Sequence, residues 1–457
     1  MNEQEQALDA YIDAHRTEII EELVRFCAQP SVSARGEGIA AMVTLASDAL
    51  RARGLAVDVY ETGGYPVIVG RSPAPQPHTL LLYNHYDVQP EDPMDAWLSP
   101  PFEPTLRDGR LYARGVMDDK GHIVCRLAAI DAVRAVYGDL PCEIKFVIEG
   151  EEEIGSPNLP AFVEKHRDIL RADGCLWEFG DVDYDGASMN YLGFRGLLYV
   201  QFSVQTANLD AHSGIGGTIF PNAAWRLTWA LTSLKDSSER VLIPGFYDDV
   251  VPPTPADLDA LAQLPAVTER HRAAYGLRGM LNDMADGIDF QRAAIFSPSC
   301  TICGLTAGYQ GPGAKTIMPA QATAKMDFRL VPNQDPADIF RKLRRHLDDA
   351  GFADVAVTVL GSEKPARTPV DDPFVQMVVE AARDVYGQPQ RVVPMSGGSG
   401  PAHAFVEALE VPVVTAGVGY PGSQIHAPNE NIRVDDLIKG VRHTARIIAR
   451  FGAQSPQ

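Results

Sequence analysis

Cysteine is scarce in this chain, with six in 457 residues, at positions 27, 125, 142, 175, 300 and 303. Thiols scattered this way do not make the framework of a disulfide-stapled secreted domain. Cys300 and Cys303 form a lone C-x-x-C in SPSCTICGL. A structural zinc site needs more ligands, and no second Cys pair or nearby histidine supplies them. Two small apolar residues on a strand are the simpler reading. Basic residues are also in deficit, 40 Lys and Arg against 60 Asp and Glu, for a formal charge of −20. That balance disfavours nucleic acid and acidic membrane surfaces, while leaving room for a local positive pocket facing a small carboxylate. No stretch approaches the roughly 20 apolar residues of a membrane span. The start, MNEQEQALDAYIDAHRTEIIEELVRF, is acidic and amphipathic, without the basic opening and unbroken apolar core of a signal peptide. A cytoplasmic protein with neither a membrane nor a nucleic-acid partner is expected.

What is present is enough for a core. Hydrophobic residues make up 45% and charged residues 22%, the balance of an ordinary globular chain of about two domains. Helical periodicity covers 5–28 and 37–54, and LAVDVYET, YPVIVG and TLLLYNH read as strands. A helix over 121–136, the strand CEIKFVIEG, a helix over 157–169 and the strand GCLWEFG continue the alternation. This rhythm implies a parallel or mixed sheet with helices on both faces. It is interrupted after YLGFRGLLYVQFSVQTA by a helix over 221–235, an irregular Pro/Asp-rich region around 244–290, two strands, a helix over 336–350 and the strand DVAVTVLG. The alternation then returns to a closing helix over 434–451. The expected layout is an α/β domain built from residues 1–193 and 364–457, with an α+β insert at 194–363.

Polar residues gather where apolar strands end. LLYNHYDVQP delivers His85 and Asp87 two places apart, hence on one face of an extended segment. Asp118 and Asp119 precede a helix in LYARGVMDDKGHI, where an acidic N-cap would suffice to explain them. Glu149, Glu151, Glu152 and Glu153 crowd KFVIEGEEEIGSP, a costly arrangement unless cations or water neutralise it. CLWEFGDVD places Glu178 at another strand end, and GYPGSQIHAPNE puts His426 in a loop. Taken together, two histidines and several carboxylates emerge where open α/β sheets put their ligand crevice. Such donors without thiolate suit zinc, manganese or cobalt.

NHYDVQPEDPMDAWLSPPFEPTLRDGRLYARGVMDDKG followed by EGEEEIGS resembles the dinuclear-metal aminoacylase/carnosinase metallopeptidases, nearest the cytosolic non-specific dipeptidase and carnosinase branch. The resemblance implies a zinc-exopeptidase-like α/β/α catalytic domain with an inserted α+β lid that dimerises. It implies two divalent ions per subunit, zinc first, with manganese or cobalt as alternatives. His85 and Glu178 would hold one ion, Glu153 and His426 the other, and Asp118 would bridge them. Asp87 would orient His85, and Glu152 would be the general base that later protonates the leaving amine. In other family members an aspartate stands at the position of Glu178, with Asp181 or Asp183 as substitutes if the alignment shifts. NLDAHSGIGG supplies His212, expected to steady the oxyanion in the neighbouring subunit of a homodimer. GPGAKTIMPAQATAKMDFRLVP supplies Thr316, for substrate contact, and Arg329, for the substrate's terminal carboxylate.

Two departures stand out. Asn84 replaces a glycine common in relatives, and PMSGGSGPAH keeps Gly-Gly-Ser but not the Arg-Glu usual before it. Ser399 in that loop is the candidate carboxylate contact. The expected reaction is hydrolysis of dipeptides or short peptides with a free carboxylate, with N-acyl-amino-acid deacylation as the alternative. A binding protein that had kept only the fold would not be expected to retain Asp118, Glu152 and Glu153 together.

Overall fold

The computed structural model describes residues 2–73 and 75–453. Its largest sheet has six strands, in the spatial order Ala56–Tyr60, Val67–Arg71, Glu143–Glu149, Thr79–His85, Gly174–Trp177 and Val413–Thr415. Neighbours among the last four are parallel, and Val67–Arg71 runs antiparallel to the strands on both its sides. The apolar run Leu80–Tyr83 within Thr79–His85 follows from this central position, because both faces of the strand are covered. Leu80 and Leu82 pack into a core shared with helices Lys120–Tyr137, Pro373–Tyr386 and Val434–Gly452. Leu81 and Tyr83 point the other way, into a core with Phe162 and Phe405 of helices Leu159–Lys165 and His403–Ala408. Each of these leucines is fully buried, worth roughly 1.5–3 kcal/mol relative to exposure. The result is a helix–sheet–helix layering whose strand carboxyl ends open on one side.

Local signals set the helix limits. Pro373–Tyr386 begins with Asp372 accepting the Phe374 N–H at 2.8 Å and ends at Gly387, whose φ of 70° a side chain would disfavour. The expected helix over 5–28 is two helices, Glu3–Ala14 and Arg16–Ala28, parted at His15, whose φ and ψ of −107° and 19° leave the helical range. The expected helix over 157–169 is likewise split at His166 into Leu159–Lys165 and Arg167–Leu170. The region expected to be irregular over 244–290 contains helices Pro255–Ala262 and Thr268–Tyr275. The first carries a capping box between Thr254 and Asp257 with proline at its start, a signal legible in TPAD that the high Pro/Asp content obscures.

A second sheet has four antiparallel strands in the order Ser299–Ala307, Gln321–Leu330, Gly196–Gln205 and Ala356–Glu363. Here burial alternates along the strands: Leu198, Val200, Phe202 and Val204 face Ala322, Ala324, Met326 and Phe328 in a separate core. Helices Ala223–Thr232 and Pro336–Asp349 cover that face through Leu227, Ile339 and Leu343. The protein is thus a mixed α/β structure joined to a smaller α+β unit. All six cysteines are free, and Cys300 is buried on its strand as expected. Cys303 is instead exposed, at a register shift between Ile302 and Gly304. No helix among the described residues is long and apolar enough to cross a membrane.

Candidate metal centre

The parallel strands Thr79–His85 and Glu143–Glu149 pair in register, so that His85 stands opposite Glu149 at their carboxyl ends. The next strand ends at Trp177, immediately before Glu178. Chains leaving these ends, together with the loops carrying Asp118 and His426, converge on one place. His85 Nε2 lies 3.0 Å from Asp118 Oδ1, and His426 Nε2 lies 2.9 Å from Asp118 Oδ2. Asp118 thereby offers one oxygen to each histidine. His426 Nε2 is also 3.1 Å from Glu153 Oε2. Two donor triads result, His85 with Asp119 and Glu178, and Asp118 with Glu153 and His426, each within 4.8 Å.

Asp87 is fully buried behind His85, with Oδ1 3.3 Å from His85 Nδ1. It also accepts the backbone N–H groups of Glu152 at 3.2 Å and Glu153 at 3.0 Å. One carboxylate therefore positions both the imidazole and the acidic turn. Within that turn the glutamates are sorted by their partners. Glu149 accepts from Tyr83 Oη at 2.5 Å and Ser156 Oγ at 2.8 Å, and Glu151 accepts from Asn158 at 2.8 Å. Gln89 holds Glu153 through its N–H at 3.1 Å and its amide at 2.8 Å. Glu152 faces the charges of His85, Glu178, Asp118 and Glu153.

From sequence, an acidic N-cap suffices to explain Asp119 as well as Asp118. Asp119 does stand at the N-cap of helix Lys120–Tyr137, but its side chain makes no capping bond. Its Oδ2 instead accepts from Asn84 Nδ2 at 2.7 Å and from the His85 N–H at 3.0 Å. The unusual Asn84 thus has a defined task, and Asp119 belongs to the centre. Asp181 and Asp183 do not substitute for Glu178: Asp181 accepts from Tyr191 Oη at 3.3 Å, and Asp183 pairs with Arg391 at 2.7 Å.

The electrostatics reflect crowding. Burial pushes the Glu152 carboxyl well above the usual range, and Glu178, Asp118 and Glu153 add to the push against His85. Burial likewise raises Glu178 and Glu153. Asp118 is held well below the usual range: burial opposes this, but hydrogen bonds from His426 and His85 prevail. His426 is raised to about 10 by its bonds to Asp118 and Glu153. In the ion-free protein these shifts favour the protonated forms of Glu152, Glu153, Glu178 and His426. Divalent cations fit the role of counter-charge, because the donors are nitrogen and oxygen with no thiolate, arranged as two triads around one shared carboxylate.

Residues 81–450 match the profile of "Peptidase family M20/M25/M40". The chain belongs to this family. It is a metallopeptidase-type hydrolase of mixed α/β fold. Among its relatives, the human Beta-Ala-His dipeptidase is 30% identical over 465 residues, covering 94% of this chain and 90% of that protein. The Cys-Gly metallodipeptidase of Candida albicans is 30% identical over 417 residues, covering 85% and 81%. Among solved structures, the M20 family metallo-carboxypeptidase Sso-CP2 of Sulfolobus solfataricus superposes with a TM-score of 0.90 at 36% identity, covering 96% of this chain and 100% of that one.

The remaining residues expected of such a peptidase fall into two groups. Arg329 and Ser399 meet: Arg329 Nη1 donates to Ser399 Oγ at 2.8 Å, and Arg329 Nε to Asp327 at 3.2 Å. His212 ends a short strand whose partner is Ile317–Met318, and Thr316 immediately precedes that partner, with the Ser213 N–H donating to the Thr316 carbonyl at 3.1 Å. Both are exposed, and neither is in a donor triad; His212 Nδ1 accepts the Gly214 N–H at 3.0 Å.

Proposed function

We propose that this chain hydrolyses the amide bond of dipeptides or short peptides bearing a free C-terminal carboxylate. The observation that carries the reading is Asp118, whose two oxygens each meet a histidine while Glu152 faces the same centre. His85 and Glu178 would hold one ion, Glu153 and His426 a second, and Asp118 both; Asp119 stands within reach of the first. Bound there, two divalent cations would polarise the scissile carbonyl and lower the pKa of a water molecule. Glu152 takes a proton from the attacking water and returns it to the leaving amine. Its carboxyl faces His85, Glu178, Asp118 and Glu153, so it stands beside the ions it would serve. Asp87 keeps His85 Nδ1 engaged so that Nε2 faces the centre.

Arg329, steadied by Asp327 and Ser399, grips the substrate carboxylate, for which its planar fork is suited. Zinc is the preferred ion, with manganese and cobalt compatible with the same donors. Residues 1–193 and 364–457 form the catalytic domain, and 194–363 a lid that pairs two copies of the chain. The pairing reading is supported by Leu209, Ile215, Ile219, Phe220, Trp225 and Trp229, all exposed within the stretch 209–229 that carries His212. In the pair, His212 and Thr316 reach the partner's substrate, His212 steadying the oxyanion. A cytoplasmic location fits the absence of a membrane-crossing helix among the described residues.

The test is a panel of dipeptides and N-acyl amino acids at equal metal loading. Preferential dipeptide cleavage supports the proposal. Exclusive cleavage of acyl substrates would mean that the altered MSGGSG loop has redirected the enzyme towards deacylation.

A further inference from the structure

Glu430 is fully buried, four residues beyond His426. Its Oε2 accepts from Arg114 Nη1 and the Gly115 N–H, both at 2.8 Å. Its Oε1 accepts the N–H groups of Met117 at 2.9 Å and Asp118 at 3.0 Å. Four donors on one carboxylate leave the 114–118 loop little freedom, and the last of them belongs to Asp118 itself. The chain around Glu430 is anchored in turn: its carbonyl accepts the Ala113 N–H at 3.1 Å, and Asn431–Arg433 pairs antiparallel with Arg110–Tyr112. Arg114, equally buried, sends Nη2 to the Pro90 carbonyl at 3.0 Å. Pro90 follows Gln89, which holds Glu153.

We propose that the buried Glu430–Arg114 pair is the positioning device of the second ion site. Glu430 fixes Asp118 directly and His426 through their shared loop, while Arg114 secures the segment whose Gln89 fixes Glu153. All three members of that triad are thereby referred to one ion pair. The first site shares Asp118 but depends on the pair less, because its other members are held elsewhere: His85 by Asp87, Asp119 by Asn84, and Glu178 by its place just beyond the strand Gly174–Trp177. The inference rests on reading the two triads as ion sites.

The experiment counts zinc ions on the intact protein by native mass spectrometry and follows their release to a chelating dye. Wild type is expected to hold two ions. Glu430→Gln replaces an acceptor oxygen with an amide that cannot serve all four donors, and Arg114→Lys removes the fork while keeping the charge. Each is expected to weaken the second ion roughly 10–100-fold, leaving one tightly held, and adding His426→Ala should remove nothing more. Asp257→Asn breaks another buried carboxylate pair, with Arg367 at 3.0 Å, outside the triads; it is expected to keep both ions. Should Glu430→Gln fail to fold, Arg114→Lys decides. Two ions with wild-type release in the variants would overturn the proposal. So would parallel loss of both ions, or an equal loss in Asp257→Asn. A wild type that binds no zinc, manganese or cobalt would instead overturn the ion-site reading itself.

Discussion

Asp87 accepts the backbone N–H of Glu153 at 3.0 Å across 66 residues of sequence. Because the same side chain lies 3.3 Å from His85 Nδ1, the proposed ligand His85 and the acidic turn share one support. Asp87→Ala is expected to lower metal affinity about 10–100-fold and to reduce kcat through misplacement of Glu152. Metal titration and steady-state kinetics on the same preparation check this. A change in KM alone would contradict it.

Glu152→Gln keeps the shape of the side chain and removes its proton transfer. Loss of kcat by roughly 10²–10⁴-fold is expected, with ion content unchanged. Elemental analysis beside turnover separates this outcome from a simple loss of metal. Unchanged turnover would remove Glu152 from its assigned role.

Arg329→Met removes the guanidinium but keeps much of the stem. Charge-assisted hydrogen bonds are worth about 1.5–3 kcal/mol each, so kcat/KM should fall by an order of magnitude or more. A substrate whose terminal carboxylate is amidated should lose as much with wild type and little further with the variant. Ser399→Ala, which frees Arg329 Nη1 from its 2.8 Å partner, should show a smaller loss of the same kind.

Ion-free protein should lose stability as pH rises. His426 moves from 6.5 to about 10 on folding, so its protonated form favours the fold fully below about pH 6.5, and that contribution disappears as pH climbs through about 10. The raised Glu152, Glu153 and Glu178 act in the same direction above the ordinary carboxylate range. Asp118, held low, acts oppositely, and its contribution is lost only in acid. Thermal melts of chelated protein between pH 6.5 and 10 should therefore fall more steeply than those of zinc-loaded protein, in which cations replace the protons. Parallel curves would contradict this.

Much of this site is legible in the sequence because its members sit where apolar strands end. His85, Asp87, Glu178 and the 149–153 cluster can be placed from alternation and strand length alone. Sorting the four glutamates cannot be done that way, since Tyr83, Ser156, Asn158 and Gln89 reach them through the fold. Asp119 reads as a helix cap because the cap position is local, whereas the partners of its Oδ2, Asn84 and the His85 N–H, lie 34–35 residues back, and only His122, 2.8 Å from its Oδ1, is near in sequence. Glu430 leaves no pattern at all, as its bond to the Asp118 N–H spans 312 residues. The break at His15 is similarly invisible to periodicity, which continues across it.

The most direct measurement is dipeptide turnover by chelator-stripped protein as zinc, manganese or cobalt is added back. No turnover without ions is expected, with a plateau at two ions per chain, and Glu152→Gln should take up the same two while staying inactive. Full turnover by the stripped protein, or an ion-dependent plateau that survives loss of both His85 and His426, would contradict a dinuclear centre built on Asp118.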